Sequence, residues 1–448
     1  MDGLVIIGDA RKAGAGWAAT PVQQRLQVIH RVRRMLGRDG LALAGTVDRP
    51  LADTLVAEVL PLAEAARFLV RRASALLAPR RLGHGRPLWL WGVLAEIRRE
   101  ACGVVLVLAP GNYPLFLPGA QALQALAAGN AVCVKPAPGC SAPMAALRDM
   151  LARAGLPPGV FTIMREDGGP DAIRAGFDRI VLTGSAATGR AVLAAAARTL
   201  TPATVELSGS DAVFVLPGAD LELVARCLLY GLRLNGGATC IAPRRVFAPA
   251  AIIAELETRL RAGLDALPDA ATPAPVTDRL DRLVADALGA GARLAAPARR
   301  GRPVVLADAT PDMALLREDV FAPWLALVAT DSPLAAAASC PYALGASVFG
   351  PPAVARAFAN QVRAGSVCVN DLIVPTADPR LPFGGRGESG FGVTRGAEGL
   401  LEMTVVKTVS TRRGRFRPHL KEPRPGDAQR FAQLLRWLHG APWQGGHR

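Results

Sequence analysis

Short unbroken apolar runs, each closed by a turn, recur along the first half of the chain. Gly103–Ala109, Ala131–Lys135, Val160–Met164, Ile180–Thr183, Thr204–Leu207 and Ala212–Leu216 are of this kind. A short apolar run without polar alternation predicts a strand covered on both faces, as in parallel sheets. Between the runs, apolar residues recur at helical spacing over 117–128, 142–154, near 171–175, and from the turn after Gly184 through Leu200. Strand and helix in alternation predict α/β architecture. Ala212–Leu216 opens a second such unit, with helices at about 220–233, 250–265 and 277–289 and strands at 304–309, 324–330 and 366–370. The Pro-rich stretch 270–276 reads as a surface loop.

Ahead of these units, 20–45 and 51–78 carry helical stripes such as Leu26, Ile29, Val32, Leu36 and then Leu55, Val59, Leu62, Ala66. Residues 87–92 and 93–100 read as two extended runs of a protruding ribbon, and 403–410 as a short β-branched strand. Near the end, Phe431, Leu434, Leu435 and Leu438 fall on one helical face beside Arg430 and Arg436. That face is expected to dock on its own or a partner subunit, with weak contact to a membrane surface as the lesser alternative.

Composition narrows the function. With 448 residues, 51% hydrophobic and 20% charged, the chain is globular with room for two or three domains. A net charge of +15 invites a nucleic-acid reading. Nearly all of that charge is scattered Arg, aromatics are only 5%, and a base-stacking surface is therefore not expected. The four lysines are Lys12, Lys135, Lys407 and Lys421, so a surviving Lys marks a place where a compact ammonium is useful. Seven cysteines without a CxxC pair point to reduced thiols and a cytoplasmic setting, and the N-terminus lacks a basic signal-peptide start. The uncharged stretch from 101 to 134 is broken by Pro110, Gly111, Pro114 and Pro118, too often for a membrane span.

The five histidines, His30, His84, His419, His439 and His447, avoid the central body. A Ser-His-Asp triad or His-ligated metal centre there is not expected, and no metal is assigned. Chemistry is left to Cys, carboxylates, Lys and amides. Cys240 follows a Gly pair in Asn235–Pro243; a lone thiol beside a turn is more often structural than reactive. Gly184, Ser185 and Gly189 lie at a strand-to-helix turn that suits a phosphate or ribose. Glu206 sits between Val205 and Leu207, where an acid needs a task, a partner or an exposed edge.

Seven segments in register, within a span from Ala18 to Ser410, together resemble the aldehyde dehydrogenase superfamily. They are Gly103–Pro138, Val181–Gly189, Thr201–Gly209, Asn235–Pro243, Glu318–Pro323, Ala364–Asn370 and Pro382–Gly392. The short N-terminus, Asn112-Tyr113-Pro114 and Asn370-Asp371 ahead of Leu381-Pro382-Phe383 resemble the fatty-aldehyde (class 3) branch. The resemblance implies a two-domain fold, with a Rossmann-like cofactor domain (1–86 and 101–208, with 389–402 returning to it) and an α/β catalytic domain (209–388). Strands 87–100 and 403–410 would join subunits of a homodimer, and 411–448 would be a basic tail.

By resemblance, Cys240 is the nucleophile, the Asn112 amide and Cys240 N–H receive the oxyanion, and Glu206 activates water against the thioester. Lys135, Gly184, Ser185, Gly189, Asp319 and Phe321 would bind NAD or NADP, and the product would be the acid of an apolar aliphatic or aromatic aldehyde. Departures from the pattern are Asp319 for the usual Glu, Pro138 for the Glu of many NAD-preferring members, Gly111 for Trp, Ser210 for Lys and Ala322 for Gly. Transfer of the acyl group to CoA, or a non-catalytic binding role, are the alternatives. Glu206 argues against the first, because a positioned base favours water.

Overall fold

The computed structural model describes residues 3–440 apart from positions 84 and 298, so His84, His447 and the end of the expected basic tail lie outside the described residues. Five apolar runs become parallel strands of one sheet: β1 (Val104–Leu108), β2 (Ala131–Lys135), β3 (Phe161–Ile163), β4 (Arg179–Gly184) and β5 (Ala203–Leu207). A second sheet takes β6 (Asp211–Val215), β7 (Pro243–Ala248), β8 (Arg293–Leu294), β9 (Val304–Ala307), β10 (Trp324–Ala329), β11 (Gly345–Phe349) and β12 (Ser366–Val369). The chain then returns to the first sheet, where β13 (Gly390–Phe391) pairs antiparallel with β5.

The first sheet has the order β13-β5-β4-β1-β2-β3. From the centre it winds one way through β2 and β3 and the other way through β4 and β5. The connections part between β1 and β4, and at such a switch point a crevice opens outside the strands' carboxyl ends. Alternate side chains separate its two cores. Val105, Val107, Val132, Val134 and Val181 face one side, with the buried helix α1 (Phe116–Ala128), while Leu106, Leu108, Ile180, Leu182 and Val205 face the other. Covering on both faces is why these strands read as continuous apolar runs. The second sheet has the order β8-β9-β10-β7-β6-β11-β12 and is parallel except for β8.

Several expectations need correcting. The N-terminal region begins with a helix, Gly3–Ala19, before Val22–Ala44. The second helical stretch contains a π-helical turn at Leu55–Val59. Residues 87–92 are not a strand: Leu88–Leu90 form a 3₁₀ turn, and Gly92 has φ +80. The ribbon strand Val93–Ala101 instead pairs with Arg80–Leu82 on one side and Thr404–Arg412 on the other. The expected loop 270–276 gives way to a helix at Ala274, where Pro275 fits because a first-turn N–H needs no helical partner.

The chain divides into two compact units, one of residues up to 78 and 99–405, the other of 79–98 and the residues from 406 onward. The first holds both large sheets. The second holds most of the ribbon and the C-terminal helix, Asp427–His439.

Candidate active site

The carboxyl ends of β1, β2, β4 and β5 lie level, with Leu108 opposite Lys135 and Leu182, and Thr183 opposite Glu206. A groove of about 710 Å³ opens there, lined among others by Lys135, Ala137, Gly184, Thr188 and Arg198. Its floor includes the start of helix α2 (Ala186–Ala196), whose N-cap Ser185 accepts from the Thr188 N–H at 3.2 Å. The remaining first-turn N–H groups have no helical acceptor, which makes this end suited to an anion. Gly189 does not line the groove. A Cβ there would meet the Leu207 side chain at 2.7 Å, so its smallness lets α2 pack on β5.

Next to the groove is a cavity of about 250 Å³ that gathers Asn112, Gly184, Ser185, Glu206, Cys240, Asp319 and Phe321. Lys135 stays in the groove. Seven of the nine residues singled out from the sequence therefore share one cavity. Burial holds the Asp319 carboxyl above its ordinary range, opposed by the Ser208 hydroxyl, Arg244 and Arg279.

A second cavity, about 380 Å³, reaches Cys240 and Glu206 from another direction. Val56, Pro61, Tyr113, Phe116, Leu117 and Phe383 give it a mainly apolar wall, with Arg233, Asp53 and Arg395 as its charged residues besides Glu206. The thiol and the carboxylate thus belong to both cavities.

Cys240 ends a tight turn whose backbone is left-handed at Asn235, Gly236 and Gly237, with φ 52, 57 and 76. A glycine pair can bring backbone close to a ligand. At Gly237 the close neighbour is instead protein: an added Cβ would lie 2.5 Å from the Pro323 N and 2.6 Å from the Ala322 C=O. Buried Arg244 ties the same parts together, donating to the Ala322 carbonyl at 2.6 Å and to the Gly237 carbonyl. The turn is therefore locked onto the Asp319–Phe321 segment.

Burial pushes the Cys240 thiol well above its ordinary pKa, and the charges of Glu206 and Asp211 push the same way, against Arg395. A resting thiolate is not what this setting favours. Attack then requires a base to take the proton. Glu206 is buried, not an exposed edge acid, at 2% exposure. Burial raises its carboxyl, opposed by Arg395 and by the Thr394 hydroxyl, which donates at 3.2 Å to Oε2. Oε1 has no protein partner. A carboxylate with a raised pKa and one oxygen free of hydrogen bonds, on a residue that lines both cavities, has the properties of a general base.

Arg395 went unnoticed in the sequence. Its Nη1 donates to the Thr376 carbonyl at 2.6 Å, the guanidinium lies 4.3 Å from the Phe383 ring centroid, and Nε has no partner. Its φ of 60 is strained for a non-glycine residue. Nothing local in Val393-Thr394-Arg395-Gly396 signals a buried cation. Asn112 donates from Nδ2 to the Ala238 carbonyl at 3.2 Å, and its own carbonyl accepts from Arg49 at 2.6 Å and Asn235 at 3.0 Å. Among the described residues no cluster of His, Cys, Asp or Glu is arranged to hold a metal.

Two mainly parallel sheets, a groove at a switch point, and a thiol and a carboxylate that line both the cavity beside that groove and a second, mainly apolar cavity define a class: an α/β protein built to hold an extended ligand against a buried thiol. The model of the aldehyde dehydrogenase family matches residues 4–409, and the chain belongs to that family. It is 32% identical over 430 residues to a 4,4'-diapolycopene aldehyde oxidase of Methylomonas sp, covering 91% of this chain and 81% of the relative. A probable coniferyl aldehyde dehydrogenase of Pseudomonas aeruginosa is 30% identical over 422 residues, 88% of each chain. Among solved structures, a putative aldehyde dehydrogenase from Burkholderia cenocepacia superimposes with TM-score 0.85 at 30% identity, covering 92% of each chain. A Pseudomonas syringae aldehyde dehydrogenase C variant, complexed with NAD+ and octanal, gives TM-score 0.83 at 28% identity, covering 91% of this chain and 89% of that one. The protein is accordingly an NAD(P)-dependent oxidoreductase acting on aldehydes. The relatives span several aldehyde classes and do not single out the fatty-aldehyde branch.

Proposed function

We propose that Cys240 attacks an apolar aldehyde held in the second, mainly apolar cavity, and that Glu206 serves as base. The observation that carries this reading is that both side chains line both cavities. Glu206 takes the thiol proton as sulfur bonds to the carbonyl carbon, and the Asn112 amide and Cys240 N–H receive the oxyanion. Removing one such donor typically costs about 10²–10³ in rate. A nicotinamide cofactor bound in the groove supplies acceptance of hydride from that carbon. Cys240 is then held as a thioester; Glu206, having passed the thiol proton to solvent, removes a proton from the water that breaks the carbon–sulfur bond and returns it to the departing sulfur, releasing the acid and restoring the thiol.

The residues fit such a cofactor. The Lys135 ammonium and the α2 N-terminus with Ser185 offer positive charge and donors to phosphates, and Asp319 with Phe321 stands on the Cys240 side. The cofactor domain is taken as 1–86 and 101–208 with 389–402, the catalytic domain as 209–388. The β5–β13 pairing supports the return segment.

The apolar wall of that cavity favours a medium or long aliphatic or an aromatic aldehyde, within the fatty-aldehyde branch. A panel including octanal, coniferaldehyde and succinate semialdehyde, with NAD+ and NADP+ and with and without CoA, tests this by absorbance of the reduced cofactor. Octanal or coniferaldehyde is expected to give the highest kcat/KM without CoA. A requirement for CoA would establish the acylating alternative, and no turnover of any aldehyde would establish the non-catalytic one.

Seven free thiols support a reducing, cytoplasmic setting, and no described helix is long and apolar enough to cross a membrane. We assign a homodimer paired through the ribbon. Helix α4 (Asp427–His439) leaves its apolar face uncovered, with Phe431 60%, Leu435 60% and Trp437 75% exposed. A partner subunit is the first reading for that face and an anionic membrane surface the second; co-sedimentation with anionic vesicles distinguishes them.

A further inference from the structure

Glu58 and Arg49 form a buried pair that the chemistry above does not use. Glu58 is fully buried on the π-helical turn Leu55–Val59, and the Arg49 side chain is 10% exposed. π-Helical turns are rare and are frequent at functional sites. Glu58 Oε2 accepts from the backbone N–H groups of Leu115 at 2.7 Å and Phe116 at 2.9 Å, capping helix α1 from a distant part of the chain. Its Oε1 lies 3.3 Å from Arg49 Nη1. Arg49 Nη2 in turn donates to the Asn112 carbonyl at 2.6 Å, and its guanidinium lies 5.1 Å from the Tyr113 ring centroid.

The pair therefore grips both ends of the segment from Asn112 to Phe116. The same segment is tied to the thiol's turn. The Tyr113 hydroxyl is 2.7 Å from the Thr239 hydroxyl, next to Cys240, and Asn235 Nδ2 donates to both the Asn112 and Ala238 carbonyls at 3.0 Å. Buried ion pairs are costly, and well-packed apolar residues often serve stability as well or better. A stability role alone gives little reason for a guanidinium fork that ends on the Asn112 carbonyl.

We propose that Arg49 and Glu58 are positioning residues that set the Asn112 amide against the Cys240 backbone N–H. The inference rests on the reading of Asn112 as an oxyanion donor. Its consequence is specific: loss of the pair lowers kcat through Asn112 and leaves cofactor affinity alone. A misplacement of about 1 Å in such a site costs on the order of 10²-fold.

The test is a double-mutant cycle on the full-length enzyme with octanal and NAD+. Asn112→Ala, Arg49→Met, Arg49→Lys and Glu58→Gln are measured singly, and each pair-residue change is repeated in the Asn112→Ala background. Arg49→Met is expected to lower kcat by about 10²-fold with the NAD+ dissociation constant within about twofold. Arg49→Lys should recover part of that loss by keeping the charge. In the Asn112→Ala background the pair changes should lower kcat little further, because interacting groups are non-additive. An equal fold-loss in both backgrounds would overturn the inference while leaving the oxyanion reading intact. Unchanged kcat in Asn112→Ala alone would overturn the oxyanion reading, and the inference with it. Should Arg49→Met fail to fold, Arg49→Lys and Glu58→Gln carry the same comparison.

Discussion

At the residue scale the centre is a thiol and a carboxyl, both pushed toward their neutral forms by burial. Cys240→Ala is expected to abolish formation of reduced cofactor. Glu206→Gln should slow release of even the first equivalent per site and block turnover beyond it, because the same carboxylate deprotonates the thiol and then the water, which rapid-quench kinetics would read; full steady-state turnover would refute the assigned base. The Glu206 pKa sets the sign of the pH dependence. Its ionised form is the base, so kcat should fall as pH drops through a value above the ordinary carboxylate range. Neutralising Arg395 with Met should move that limb to still higher pH, because Arg395 opposes the effect of burial.

Asp211 offers a stability counterpart, with burial raising it from 3.8 to about 7. Between those values the folded state holds the proton more tightly than the unfolded state, so stability falls as pH rises through the window. The thermal midpoint of the wild type should therefore decline more steeply from pH 4 to pH 8 than that of Asp211→Asn. Glu166 stands at the turn after Pro138, where its two oxygens take the Gly139 N–H and the Ser141 hydroxyl, each at 2.7 Å. It brings an acid to the turn where Pro138 lacks one. NAD+ is expected to bind more tightly than NADP+, and Glu166→Gln to narrow the difference in a fluorescence titration.

At the scale of elements, the turn before Cys240 is fixed by backbone packing. Gly237→Ala meets both a left-handed φ and the Ala322–Pro323 backbone. A stability loss of about 2 kcal/mol or more is expected from denaturant melts, with kcat falling because Cys240 and Asp319 lose their common anchor. Strands differed in how legible they were. β1, β2 and β4 stood out because both faces are covered by apolar neighbours. β7 was missed because Arg244 and Arg245 interrupt it; both are buried and satisfied by carbonyls of Ala322, Trp324 and Ser210, partners distant in sequence. β11, Gly-Ala-Ser-Val-Phe, has too little bulk to signal a strand, although all five residues are buried. Glu58 had a usable signal: it falls on the apolar stripe of Leu55 and Leu62, where an acid needs a buried partner.

At the scale of the molecule, the ribbon and α4 expose apolar surface that a single chain leaves uncovered. Val406 is 56% exposed on the strand Thr404–Arg412, and the bulk of α4's apolar face is open. Sedimentation is expected to show twice the chain mass of 46.7 kDa, and Val406→Asp to shift it toward the monomer. A species that stays monomeric at all concentrations would remove the ribbon's assigned role.

The sequence by itself determined the α/β alternation and the family, and singled out Cys240, Glu206 and Asn112 as candidates, because apolar runs and short motifs are local properties. Tertiary structure decided how those residues are used. It gave the glycines before Cys240 a packing role, placed Gly189 in a helix–sheet contact, and put Arg395, Arg49 and Glu58 around the site. The reason is physical: the state of a buried charge depends on partners that the chain brings near only by folding.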